Sequence, residues 1–165
     1  MNFKTCCFTG NRPQKLTCGF DERHRECKRI KKALSKGIKK AIKQGFTCFI
    51  SGGALGVDTW AAEEVLALKK QYPLVTLEIA VPCLGQEAKW RKDDKQRYQS
   101  ILEQADEVTV LEQYYTADCM NKRNEYMVNK ASYVIAVWNG RRGGTASTIK
   151  YARMQERSVD VIETD

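Results

Sequence analysis

Two rhythms of apolar and polar residues alternate along this chain. Short runs rich in Val, Ile, Phe and Cys at residues 4–9, 47–50, 75–81, 107–111, 133–138 and 159–162 read as strands. Between them lie stretches with helical spacing, over 23–43, 59–70, 93–105, 118–130 and 146–156. In the first of these Cys27, Ile30, Leu34, Ile38, Ala41 and Ile42 recur every three or four residues. In the second, Trp60, Ala61, Val65, Leu66 and Leu68 form a broad buried face that stops before Tyr72-Pro73. Strand and helix thus alternate about five times before a closing strand. The pattern predicts one α/β domain over residues 1–165, with a doubly wound, mainly parallel sheet of about six strands and helices on both faces.

In such a sheet ligands bind beyond the carboxyl ends of the strands. Four unusual segments follow strands here: Gly10 to Pro13, Ser51 to Asp58, Pro82 to Gln86, and Trp138 to Thr145. The second, Ser-Gly-Gly-Ala-Leu-Gly-Val-Asp, ends a strand in glycines and opens a helix, an arrangement that aims backbone N–H groups at one spot. It suits a phosphate held by Gly52, Gly53, Ala54, Gly56 and Val57, with Asp58 capping the helix or taking a ribose hydroxyl; a tight turn without a ligand is the alternative. At the last junction Asn139, Gly140, Gly143 and Gly144 lead to Thr145, placed to cap the next helix and meet an anion. Arg12, stiffened by Pro13, offers a guanidinium at a strand end. The polar stretch 86–99 carries Trp90 and Tyr98, which fit a lid over a site or a cap on the core edge.

Charge and chemistry narrow the classes. Of the net +8, residues 23–43 supply ten Lys or Arg against Glu26, so the basicity belongs to the first helix. A solvated face and a nucleic-acid patch both fit, and no aromatic residues are interleaved for base stacking. Seven scattered cysteines without Cys-x-x-Cys spacing indicate neither a disulfide frame nor zinc and read as core residues. The single histidine, His24, excludes multi-histidine metal sites, so no metal is expected. No apolar run approaches a membrane span, and the start runs into a strand pattern without the apolar core of a signal peptide; a cytoplasmic protein is expected.

Several motifs are familiar. Thr9-Gly10-Asn11-Arg12-Pro13-Gln14-Lys15-Leu16, the stretch from Ser51 to Ala62, Pro82-Cys83 with Gln86 and Trp90, Cys119-Met120 with Arg123-Asn124 and Met127-Val128, and Ala136-Val137-Trp138 with Gly143-Gly144-Thr145 resemble the YpsA-like family of the SLOG superfamily. The superfamily includes LOG phosphoribohydrolases and DprA-type DNA-processing proteins. The resemblance implies a Rossmann-like fold holding a nucleotide or nucleotide-derived ligand, related to NAD or ADP-ribose, with no further cofactor. Phosphates would lie at Gly52 to Gly56 and Gly143 to Thr145, helped by Arg12, Arg123 and Asn124, with Trp90 or Trp138 on the base. LOG enzymes carry a glutamate shortly after their Gly-Thr pair, where this chain has Ala146-Ser147-Thr148, and Asn11 and Asn139 stand where the family commonly has histidine and aspartate. The expectation is a binding protein, a sensor or sequestering protein with a role in signalling or in conflict between phage and host defence, and a homodimer or higher homo-oligomer. Nucleotide N-glycosidase activity using Asp58, Glu87 or Glu125, and single-stranded DNA binding of DprA type, are the alternatives.

Overall fold

The computed structural model describes residues 4–164; residues 1–3, at the start where no leader pattern was read, lie outside that range. Six strands, β1 (Lys4–Gly10), β2 (Phe46–Ser51), β3 (Thr76–Val81), β4 (Glu107–Val110), β5 (Tyr133–Trp138) and β6 (Ser158–Glu163), form one sheet in the order β4-β3-β2-β1-β5-β6. Every neighbouring pair is parallel, so the expected Rossmann-like α/β fold is found. Five helices connect the strands: α1 (Arg25–Lys43), α2 (Val57–Lys69), α3 (Lys92–Gln104), α4 (Cys119–Lys130) and α5 (Gly144–Met154).

The strand pleat sorts side chains between two layers. Cys6, Phe8, Phe49, Leu77 and Ile79 face α1, α2 and α3, where they meet Ile30, Leu34, Val65 and Ile101. Their neighbours Cys7, Ile50, Ala80 and Val134 face α4 and α5, against Met127, Val128 and Ala152. The order reverses at β1, because the first three crossovers run to one side of it and the later ones to the other. That reversal opens the crevice in which the site is built.

Helix α1 buries the apolar stripe read from the sequence, with Ile42 only half-buried, and its lysines point outward. Its N-cap is His24, whose Nδ1 accepts from the Glu26 N–H at 3.0 Å, so the lone histidine has a structural task. The cysteines are all free, and all but the half-buried Cys48 are buried. Burial pushes the Cys7 thiol up to about 12, which leaves it unreactive. Among the described residues no helix is long and apolar enough to cross a membrane, and no three His, Cys, Asp or Glu side chains are grouped to hold a metal.

Outside the core, Arg97 of α3 ties Glu22 to Glu63 of α2, with Arg97 Nη1 at 2.5 Å from Glu22 and Nε at 2.8 Å from Glu63, while Lys31 reaches Glu22 at 2.6 Å. The Arg97 hydrogen bonds hold the Glu22 carboxyl down at about 2, from an ordinary 4.5. A carboxylate depressed in the folded state contributes stability above its unfolded pKa and loses it as pH falls toward the folded value. Glu22→Gln is therefore expected to cost about 1 kcal/mol near neutral pH for this part-exposed group, with the difference gone by about pH 2. Chemical denaturation of both proteins along an acid series checks this; a difference independent of pH would refute it.

Candidate functional site

The site grows from two close backbone contacts. A β-carbon on Gly10, at the end of β1, would lie 2.5 Å from Cβ of Val57, so the strand end rests directly on the first turn of α2. Gly56, the N-cap of α2, has φ +87° and sits under the ring of Pro13, where a β-carbon would come within 2.8 Å of Cδ. Pro13 opens a 3-10 turn over Pro13–Lys15 that carries Lys15 back toward β5. Asn11, 5% exposed, then staples the loops after β1 and β5: its N–H donates to Val137 O at 3.2 Å and its Oδ1 accepts from the Asn139 N–H at 3.0 Å.

Between these loops, at the strand-order reversal, is a cavity of about 170 Å³. Thr9, Gly10 and Arg12 line it from β1 and its loop, and Ala54, Leu55 and Asp58 from the start of α2. Helix α4 adds Met120, Arg123 and Asn124, and the open end of α5 adds Gly144 and Thr145.

Its charge is lopsided. Arg123 is 5% exposed, and its Nη1 donates to Gly52 O at 2.7 Å while its Nε donates to Asn124 Oδ1 at 3.0 Å. Arg12 Nη2 and Arg123 Nη2 lie 3.6 and 3.8 Å from the same Met120 sulfur, so two guanidiniums share one soft acceptor. Lys15 Nζ stands over Gly143, 2.8 Å from where a β-carbon would be. The one carboxylate in the lining is Asp58, already accepting from the Ala54 N–H at 3.2 Å. Burial raises the Asp58 pKa above 3.8, opposed by Arg123, the Ala54 bond and Arg12; burial likewise presses the Arg123 guanidinium down, with Asp58 pushing back. Three cations around one engaged carboxylate, beside a helix N-terminus, leave the cavity with an excess of positive charge.

Nine of the residues expected from the sequence come together here: Thr9, Gly10, Arg12, Ala54, Asp58, Arg123, Asn124, Gly144 and Thr145. Others stand behind the wall. Ser51 Oγ donates to Asp58 O at 2.8 Å and accepts from the Gly53 N–H at 3.2 Å, so the N–H groups of Gly53 and Ala54 are engaged within the chain. Gly52 has no side chain because a β-carbon would lie 2.4 Å from Arg123 Nη1 and 2.8 Å from Asp58 Oδ2. Gly56 and Val57 pack behind the lining, against Pro13 and Gly10 respectively. Gln86 is a buttress, its Nε2 donating to Gly52 O at 3.2 Å and to Tyr98 Oη at 3.1 Å, and Trp90 packs edge-on against Tyr98. Stretch 86–99 thus props the glycine turn, and the reading as a core-edge cap holds.

Pro82, Asn139, Gly140 and Gly143 stand outside the lining, as does Trp138, whose Nε1 donates to Arg141 O at 2.8 Å. Glu87 and Glu125 also lie outside it. Thr145 does not cap α5: the N-cap is Gly143, without a side-chain bond, because the helix begins two residues earlier than the pattern of 146–156 suggested. The sequence reading overlooked Lys15, which looks like any loop lysine until the 3-10 turn is known; Asn11 stands out in the sequence only as a departure from the family's histidine, and its staple between the two loops comes from the structure.

Against known proteins, residues 6–163 match the model of the YspA SLOG family. The chain belongs to that family. A UPF0398 protein of Halalkalibacterium halodurans is 31% identical over 163 residues, covering 96% of this chain and 86% of the relative. Another, from Bacillus thuringiensis, is 30% identical over 159 residues, covering 95% and 86%. Among solved structures the chain is similar in fold to DNA processing protein A (DprA) of Streptococcus pneumoniae, with TM-score 0.66 and 19% identity over 99% of this chain and 51% of that one. DprA from Helicobacter pylori, described for its single-stranded DNA binding mode, gives TM-score 0.63 and 20% identity over 98% of this chain and 68% of that one. This YspA SLOG family member thus spans about half the length of the pneumococcal protein.

Proposed function

We propose that this protein binds a nucleotide-derived small molecule through its phosphate and does not turn it over. The supporting observation is the convergence of Arg12, Lys15 and Arg123 on a cavity whose one carboxylate, Asp58, is already committed to the Ala54 N–H. A phosphate there meets two guanidiniums, an ammonium and the first N–H groups of α5, while Thr9 and Thr145 offer hydroxyls. Glycosidic cleavage needs a carboxylate free to stabilise a ribosyl cation or activate water, and the lining holds no second acid. The role is that of a receptor or sequestering protein in signalling or phage conflict, with NAD- or ADP-ribose-like compounds as the first ligands to try.

Calorimetric titration with AMP, ADP-ribose and NAD tests the reading, with recovery of intact ligand after incubation. Binding of at least one, unchanged afterwards, is expected. Arg12→Ala should weaken it about tenfold or more, the contribution of one charge-assisted contact. Release of free base would favour the glycosidase, and no binding would refute the proposal.

A second reading is favoured by one observation, the fold shared with a DprA described as binding single-stranded DNA. In it the same cavity takes a backbone phosphate. Oligothymidylate would then bind with a log affinity falling linearly in log salt, and the three small molecules would not compete.

A further inference from the structure

A groove of about 270 Å³ runs from the cavity between α4 and α5. Asn121 and Asn124 line both spaces, so the two adjoin. Beyond these amides the groove has Glu125 on one side and, on the other, Tyr151 and Met154 with Ser147, Thr148 and Lys150 beside them. Met154 is 67% exposed, an unusual state for a large apolar side chain. The Tyr151 hydroxyl donates to Asn129 Oδ1 at 2.7 Å, which fixes the ring's far edge. Asn124 is held through its Oδ1 by Arg123, leaving its NH₂ as a donor. Among the described residues Glu125 makes no ion pair or hydrogen bond within the chain, so its carboxylate is a free acceptor at the groove.

A competing cleft lies on the other side of Leu55, beside the exposed Phe20. It shares only Leu55 with the cavity and encloses about 100 Å³. Of its charged groups, Arg97 and Glu22 are spent on each other, while Arg91 and Asp94 also line it. The groove between α4 and α5 is the larger of the two and borders the cavity through two residues, not one.

We infer that this groove receives the nucleobase of the ligand whose phosphate fills the cavity, with the ring against Tyr151 and Met154 and an exocyclic amine donating to Glu125. The inference rests on the phosphate reading above and adds a selectivity, for a base that bears an amine. A flat heteroaromatic ring suits an apolar wall facing polar edge groups, and a charged acceptor distinguishes an amine from a hydrogen at the same position.

The test compares AMP, purine riboside 5′-monophosphate, which lacks the amine, and ribose 5-phosphate, by calorimetric titration. The protein should bind AMP about tenfold tighter than the amine-free nucleotide, the contribution of a hydrogen bond to a charged acceptor. Glu125→Ala should bring the two to parity, Tyr151→Ala should weaken both relative to ribose 5-phosphate, and Phe20→Ala should change nothing. No preference in the parent protein, a preference that survives Glu125→Ala, or one that disappears in Phe20→Ala would overturn the assignment while leaving the phosphate site standing. If the parent binds none of the three, the groove assignment fails, and if it binds neither ADP-ribose nor NAD either, the phosphate reading fails with it.

Discussion

Replacing Arg123 with methionine should cost about 3–5 kcal/mol, a fall of roughly 10 °C in melting temperature, and abolish phosphate binding in the same step. The side chain crosses the interior to donate to Gly52 O, and its charge faces Asp58 across the gap that Gly52 leaves open. Methionine fills the space but leaves a buried carboxylate without its balancing cation. Asp58 titrates above its ordinary range even with Arg123 present, because burial dominates, and losing the guanidinium raises it further. A carboxyl whose folded pKa exceeds its unfolded one loses stability as pH rises through that window. The deficit of Arg123→Met should therefore be smaller at about pH 5 than at about pH 8. Thermal melts of both proteins at the two pH values decide this, and equal deficits would show that Asp58 does not sense the arginine.

Gly10→Ala is the second large effect expected. The added methyl would lie 2.5 Å from both Cβ and Cγ1 of Val57 and 2.7 Å from Cγ2. Cβ positions are set by backbone, so no rotamer change relieves the first contact, and either β1 or the first turn of α2 must retreat. Overpacking of this kind costs about 1–3 kcal/mol, and the rigid partner places this case at the upper end. The urea midpoint should fall with an unchanged slope. Adding Val57→Ala removes only the Cγ contacts and should restore part of the loss. A single variant as stable as the parent would mean that the strand end is not pinned as described.

The strands were legible because β1, β2, β3 and β5 are short apolar runs soon closed by glycine, proline or asparagine; β5 (Tyr133–Trp138) falls where the pattern put it, and the ends of the other strands moved by one residue. The lining of the site was legible in half. Arg12, Asp58 and the start of α5 follow from the rule that strand ends carry ligands, which needs only the order of elements. Which groups remain free does not follow from order: Ser51 and Asp58 consume two N–H groups of the glycine turn, a matter of side-chain rotamers. Gly52 reads as a turn residue, yet its small size serves Arg123, 71 positions away. Trp90 invites a stacking role by its size alone, whereas its partner is Tyr98. Lys15 is invisible until Pro13 is known to open a tight turn.

Strand β1 lies inside the sheet between β2 and β5, although β5 begins only at Tyr133. During synthesis, then, β2 can join β1 early, while the other side of β1 waits until residues 133–138 have left the ribosome. Through that interval residues 6–10 present an open row of peptide groups with buried-type side chains, the condition in which nascent chains misassociate. Arg123 and the mouth of α5 also follow only after β4. The ligand proposed above would therefore find no complete receptor on a fragment that ends before β5, and any stabilisation by it would begin only after β5 has closed the row.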